Sequence, residues 1–289
     1  MTKPSRKGHL RLRRDIATLF RQLRNDNTSG SSEIASNAIR RIKSIVGCAD
    51  AGASAHLFTL ISEGLVSAQP SMGIMMNLAD GIAAMTYAPH KDMLSYLDGF
   101  RAAMEDHARV IARRTAPLLK GRDTVMTYSS SSTVLESLKY AYRNGARFKV
   151  AVPESRPMNE GKAMAAGLSK TSIPVLYMTD AACMSMLAAG DIDAVLIGGD
   201  AIHMGDLVCK TGSLAIAALC KAGKVPLYGL CATEKIVPRR FNGRFVIVDR
   251  PAGEVSDIKN SSLRIANRYF ERVPLHMFTR VVTDGGEQS

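Results

Sequence analysis

Apolar positions recur at threes and fours through the first part of the chain: Leu10, Leu12, Ile16, Leu19, Phe20 and Leu23, then Ile34, Ala38, Ile39, Ile42 and Ile45. That spacing puts each set on one face of a 3.6-residue helix. Asp26-Asn27-Thr28-Ser29-Gly30 supplies turn and capping residues ahead of the second helix, and Gln69-Pro70-Ser71 precedes a further, Met-rich one. This half carries no chemical motif. Its small and flexible residues (Ala, Gly, Met) predict a tightly packed helical domain, residues 1–122, that supports the rest of the chain or a partner.

From Asp123 the rhythm changes to strand, loop, helix, defining a second domain over 123–289. Short apolar runs at Thr124–Thr127, Phe148–Val152, Pro174–Met178, Ala194–Ile197, Pro226–Leu230 and Phe245–Val248 read as strands. Helical stretches at Val134–Asn144, Glu160–Ser169, Ala181–Ala189 and Leu214–Ala222 lie between them. Such alternation implies βαβ crossovers and a parallel sheet, so the fold class is α/β, a helical domain followed by a Rossmann-like one. Ligands in such sheets lie beyond the carboxyl ends of the strands.

Composition narrows the class. At 289 residues the chain can bury a proper core. Its five cysteines are an odd number without metal-ligand spacing, and no apolar amino-terminal segment resembles a signal peptide, so a reducing, cytoplasmic setting is expected. No apolar run reaches the length of a membrane span. The net charge of +12 is partly local: Lys3, Arg6, Lys7, Arg11, Arg13, Arg14, Arg21 and Arg24 face only Asp15 among the first 24 residues. A solvated helical face accounts for this better than a nucleic acid or ribosome contact, because few aromatic residues are interleaved. The six histidines are scattered singly, so no metal site is expected.

Four loops after strands carry chemistry. Ser129, Ser130, Ser131 and Ser132 lead into a helix, where hydroxyls and free N–H groups form an anion cradle; capping by one serine is the simpler alternative. Arg156 follows the second strand and could clamp a phosphate or pair with Glu154. Gly198-Gly199-Asp200 ends the fourth strand and Lys210-Thr211-Gly212-Ser213 follows about ten residues later, a loop suited to hold an anion beside a carboxylate. Lys235 sits after the fifth. Cationic side chains, hydroxyls and a carboxylate on one rim fit a phosphorylated polyol better than a nucleotide cofactor, since no Gly-x-Gly-x-x-Gly and no P-loop is present. No cofactor is expected.

These residues also carry a resemblance. Glu154-Ser155-Arg156-Pro157 with Glu160-Gly161, Thr179-Asp180-Ala181-Ala182, Gly198-Gly199-Asp200, Lys210-Thr211-Gly212-Ser213, Thr233-Glu234-Lys235 and the closing Asn267–Leu275 segment with Thr283-Asp284-Gly285 resemble the initiation factor 2B alpha/beta/delta family. That family includes ribose-1,5-bisphosphate and methylthioribose-1-phosphate isomerases. The resemblance implies a helical domain, a Rossmann-like domain, dimers through the latter, and a carboxyl-terminal segment that crosses near the site. In the isomerases it implies a catalytic cysteine after the first strand, paired with the aspartate that matches Asp200. Here Thr127 is followed by Tyr128 and Ser129, so the aspartate is kept and the cysteine is not. A serine hydroxyl is too weak an acid to replace a thiolate without a base beside it.

Two readings follow. One is an initiation factor 2B-like protein whose pocket binds a sugar phosphate or nucleotide monophosphate as a regulatory ligand and whose surface meets a second copy or related subunits. The other is an aldose-ketose isomerase acting on ribose 1,5-bisphosphate or a related pentose phosphate, with Asp200 as acid and Cys209 a candidate base. The ligand-binding set common to both is Ser129 to Ser132, Arg156, Asp200, Lys210 and Lys235.

Overall fold

The computed structural model describes residues 6–49, 54–260 and 262–288. Five helices come first: α1 (Arg6–Asn25), α2 (Ser31–Cys48), α3 (Ser54–Ala68), α4 (Gly73–Ala84) and α5 (His90–Thr115). The periodic positions of α2 are the buried ones, with Ile34, Ala38 and Ile42 fully enclosed and Ile39 nearly so. Each buried isoleucine contributes about 1.5–3 kcal/mol. The Met-rich segment is α4, whose Met75 and Met76 are fully buried. Helices α3 and α5 were not anticipated by the pattern. Of the basic amino-terminal residues, Lys3 lies outside the described residues, while Arg13, Arg14, Arg21 and Arg24 are exposed on α1.

The second part alternates β1 (Thr124–Tyr128), α6 (Ser132–Arg143), β2 (Lys149–Pro153), α7 (Gly161–Ser169), β3 (Val175–Met178), α8 (Asp180–Ala189) and β4 (Ala194–Gly198). A hairpin, β5 (Ala201–His203) and β6 (Asp206–Lys210), then precedes α9 (Ser213–Gly223) and β7 (Leu227–Leu230). The chain ends with β8 (Phe270–Pro274), β9 (Arg280–Thr283) and β10 (Gly286–Gln288). The main sheet runs β10-β9-β7-β4-β1-β2-β3. Strands β3 to β9 in that order pair in parallel, and β10 is antiparallel to β9. Numbered along the chain, the six parallel strands stand in the order 3-2-1-4-5-6, so the order reverses between β1 and β4. Val125 pairs with Val150 on one side and Ala194 on the other, and β1 is buried along its whole length. The crevice beyond the ends of β1 and β4 is therefore where the topology places a ligand.

Two expectations need correction. Phe245–Val248 is not a strand. Phe245 and Phe241 are buried in the core formed mostly by the helices, Phe245 stacks on His203 with ring centroids 4.6 Å apart, and the backbone of Val246 is bound by Pro70 and Ser71. Packing against the helical part keeps this run out of the sheet, and β9 supplies the sixth parallel strand instead. The interval after Gly198 also contains the β5–β6 hairpin, which pairs with β8 in a separate three-stranded antiparallel sheet. Its period-2 signal is short, and a polar Lys210 ends it.

The two parts share a core: Ala201, Val208, Val237, Phe241 and Phe245 pack with the buried faces of the helices. The Gly73 N–H at the start of α4 donates to the Asp200 carbonyl at 3.1 Å, and Asn77 donates to the carbonyls of Glu234 and Ile236 at 2.7 Å each.

Candidate functional site

Where β1 and β4 end, the chain turns. Ser129 takes a left-handed backbone conformation (φ 64°), and its N–H donates to Ser155 Oγ at 2.8 Å. Ser131 caps α6, its Oγ accepting from the Val134 N–H at 3.4 Å. The N–H groups of Ser132 and Thr133 find no acceptor among the described residues, so the first turn of α6 presents donors to whatever lies above it. Across the crevice, a Cβ on Gly198 would stand 2.4 Å from Ser131 Oγ. Glycine lets the two strand ends close on each other.

Two adjoining cavities of about 40 and about 30 Å³ occupy this place. Both are lined by Gly30, Ser31, Ser129, Ser130, Asp200 and Lys210; Ser131, Ser132 and Lys235 reach the smaller, and Asp26, Glu160, Arg250 and Tyr269 the larger. Pockets that bury a drug-sized molecule run to roughly 300–1,000 Å³, so the segments over this site leave far less room than that. Those segments are the Asp26–Ser31 turn and the chain around Arg250, Tyr269 and Phe270. A larger groove of about 1080 Å³ lies between α2, α5 and α6; of its four arginines, Arg101, Arg109 and Arg143 face Glu105 or Glu136, and Arg113 has no ion-pair partner among the described residues.

The charges in the cavities are fixed by close partners. Lys210 is 5% exposed; its Nζ lies 2.5 Å from Glu160 Oε1 and 4.6 Å from the centre of the Tyr269 ring. Glu160 Oε2 is buried with no hydrogen-bond partner. Lys235, 4% exposed, donates to the Gly199 carbonyl at 2.9 Å. The backbone of Asp200 is held by Val208 and Gly73, while its half-buried carboxylate has no hydrogen-bond or ion-pair partner among the described residues. Ser31 Oγ and Asn27 Oδ1 are also buried and unpaired. Buried polar groups left unmatched at one place mark a site waiting for a polar ligand.

Two of the residues read from the sequence lie elsewhere, and one loop read as an anion seat is already filled. The Lys210–Ser213 turn does hold a carboxylate, but it is the chain's own: Glu271 Oε1 accepts from the N–H groups of Gly212 at 2.8 Å and Leu214 at 2.7 Å. Arg156 is exposed, with Nη2 3.5 Å from the Val255 carbonyl, and lines neither cavity. Its loop has its own internal anion, since Asp180 accepts from the N–H groups of Ser155 and Arg156 at 2.7 and 2.9 Å. Cys209 points into the apolar core shared with Ile197, Leu207 and Val273 and lines neither cavity. Burial raises its pKa well above the ordinary thiol value, and the nearby Asp200 raises it further.

Several lining groups were not picked out as ligand contacts. Glu160, Arg250 and Tyr269 stand in or near segments that carry the motifs, but side-chain direction is not readable from them. Asp26 to Ser31 read as a turn and helix cap, and they are that too: Asp26 Oδ1 accepts from the Ser29 N–H at 3.0 Å. Beside the site, His107 Nδ1 lies 2.7 Å from Glu234 Oε2 and Nε2 3.6 Å from Asp284 Oδ2. One histidine and two carboxylates are a metal-type donor set. Here opposite ring nitrogens face the two carboxylates, which is the geometry of an imidazole bridge. It ties α5 to the Thr233–Lys235 turn, where Asp284 also accepts from the Thr233 N–H and hydroxyl at 2.7 Å each.

The model of the initiation factor 2 subunit family matches residues 27–288. A putative translation initiation factor eIF-2B subunit 2-like protein of Pyrococcus horikoshii is 27% identical over 273 residues, covering 94% of this chain and 95% of its own. The crystal structure of translation initiation factor eIF-2B from P. horikoshii OT3 superposes with a TM-score of 0.83 at 25% identity, over 94% and 96% of the two chains. The ribose 1,5-bisphosphate isomerase of Methanocaldococcus jannaschii is 27% identical over 228 residues, 77% of this chain and 73% of that one. A chain of the tetrameric eIF2B-beta2-delta2 complex from C. thermophilum shares the fold, with a TM-score of 0.69 at 18% identity over 96% and 91%.

Proposed function

The chain belongs to the initiation factor 2 subunit family, and on that premise we propose that the cavities at the β1–β4 switch point bind a phosphorylated sugar or a nucleoside monophosphate. The observation that carries this reading is the convergence of Lys210, Lys235 and the free first turn of α6 on one side of an unpaired Asp200. The helix terminus and the ammonium groups receive a phosphate, and the carboxylates and serine hydroxyls receive sugar hydroxyls. In the first reading the ligand is regulatory and the chain works as a cytoplasmic, initiation factor 2B-like subunit in translation; Ser129, where the isomerases carry cysteine, supports it. In the second the chain isomerises a pentose phosphate. The specific observation in its favour is that Asp200 shares its cavity with Glu160, a carboxylate that has one oxygen unpaired, as well as with Asp26.

Binding is tested by thermal denaturation with ribose 1,5-bisphosphate, ribose 5-phosphate and AMP. At a hundredfold excess over Kd a ligand adds about 2.7 kcal/mol of stability. The expected result is a rise of several degrees with at least one of the three, lost in Asp200→Lys. No shift with any of them refutes the pocket.

Assembly follows the relatives. The edge strand β3 leaves Leu176 41% and Tyr177 46% exposed on opposite faces, so this edge is a natural seat for a second copy or a related subunit. Light scattering is expected to give twice the chain mass, and Tyr177→Asp to give a monomer. An unchanged mass in the variant rules out this edge.

A further inference from the structure

We propose that Glu160 is the proton-transfer base of this pocket, taking the place that a serine at position 129 leaves empty. The inference rests on the isomerase reading. Its support is geometric. Glu160 stands at the N-cap of α7, at the end of the loop from β2, and Gly161 is seated so that a Cβ there would meet the Pro153 carbonyl oxygen at 1.8 Å. The backbone beneath the carboxylate is thereby fixed. Lys210 holds Oε1 at 2.5 Å, which leaves Oε2 buried and unpaired, and Glu160 lines the cavity that Asp200 also lines. An unmatched buried carboxylate oxygen costs stability and persists where a ligand satisfies it. The other candidates are engaged or remote: Ser131 caps α6, Ser129 has no histidine beside it, Asp26 accepts from the Ser29 N–H within its own turn, and Cys209 faces the core.

Two carboxylates on one cavity complete the reaction without a further reagent. With a cyclic aldose 1-phosphate, Asp200 gives a proton to the ring oxygen and the bond between that oxygen and carbon 1 breaks. Glu160 removes the proton from carbon 2, and the electron pair forms a double bond between carbons 1 and 2. Asp200, now a carboxylate, takes the proton from the hydroxyl on carbon 2 as the ketone forms, and Glu160 returns its proton to carbon 1. Both groups end as they began, and a hydrogen has moved from carbon 2 to carbon 1. Lys210 and the α6 terminus hold the phosphate throughout.

The test is turnover of ribose 1,5-bisphosphate to the ketose, followed by NMR in deuterated water so that exchange at carbon 1 is also seen, with binding measured in parallel. Wild-type protein is expected to turn over. Glu160→Gln is expected to lose about 10²–10⁴-fold in kcat while binding the sugar at least as tightly, because a negative charge beside the phosphate is gone. Glu160→Asp, which keeps a carboxylate at a shorter reach, is expected to fall between them. Wild-type binding without turnover or exchange defeats the isomerase reading and this proposal with it. Turnover in folded Glu160→Gln within tenfold of wild type defeats the proposal alone, as does loss of activity in folded Cys209→Ser with Glu160→Gln still active.

Discussion

Lys210→Met is expected to lower the melting temperature by about 6–10 °C. The ammonium is 5% exposed and its partner carboxylate 11%, so the substitution strands a negative charge that is largely shielded from water. Removing one member of a buried ion pair costs about 3–5 kcal/mol, and for a chain of this size each kcal/mol is worth about 2 °C. The lysine also rests on the Tyr269 ring, so methionine keeps part of the packing and the deficit is mainly electrostatic. The check is the double variant Lys210→Met with Glu160→Gln. It removes both charges and is expected to recover more than half of the lost stability, since a neutral pair is not penalised for burial. Strict additivity of the two single losses shows that the pair is not coupled and that Lys210 acts through packing. Ligand separates site from scaffold: if Lys210 holds a phosphate, the sugar-induced rise in melting temperature disappears in the double variant even where the fold is restored.

How much of this was legible in the sequence depends on whether a signal is local. The parallel strands β1 to β4 and β7 announce themselves because each is short, apolar and bounded by turn residues, whereas their order and the sixth strand β9 do not, since right-handed crossovers permit more than one order. Phe245–Val248 has the same local appearance, yet its aromatic ring is claimed by the helical part, so tertiary packing overrides the pattern. The site divides in the same way. Ser129 to Ser132, Asp200, Lys210 and Lys235 are visible as strand-end residues and the fold gathers them. A basic loop and an arginine loop looked equally like anion seats, but Glu271 and Asp180 fill both. An intramolecular carboxylate on a free N–H is invisible until the chain is folded. Glu160 illustrates the converse, because nothing in its neighbourhood reveals that Lys210, 50 positions away, holds one oxygen and leaves the other unpaired.

Gly73→Ala is the substitution by which a helical residue outside both cavities is expected to disable the site. A Cβ at Gly73 would stand 2.0 Å from the carbonyl oxygen of Lys235 and 2.7 Å from its carbonyl carbon. These are backbone atoms, so relief requires that α4 or the Thr233–Lys235 turn move. The turn is held from three sides: by Asn77 on the Glu234 and Ile236 carbonyls, by Asp284 on Thr233, and by His107 on Glu234. Neither side yields easily, and overpacking of this kind costs about 1–3 kcal/mol. The functional cost is expected to be larger than that figure suggests. Gly73 donates to the Asp200 carbonyl, and Lys235 reaches the Gly199 carbonyl, so a displacement at α4 shifts a cation, the glycine hinge and the aspartate together. Sugar-phosphate affinity is therefore expected to fall at least tenfold, about 1.4 kcal/mol, in protein that is still folded by circular dichroism. Gly47→Ala, on α2 with open space around its Cβ, is the matched control and is expected to bind as wild type. Equal affinities for Gly73→Ala and wild type show that the helices brace the sheet without setting the geometry of the pocket.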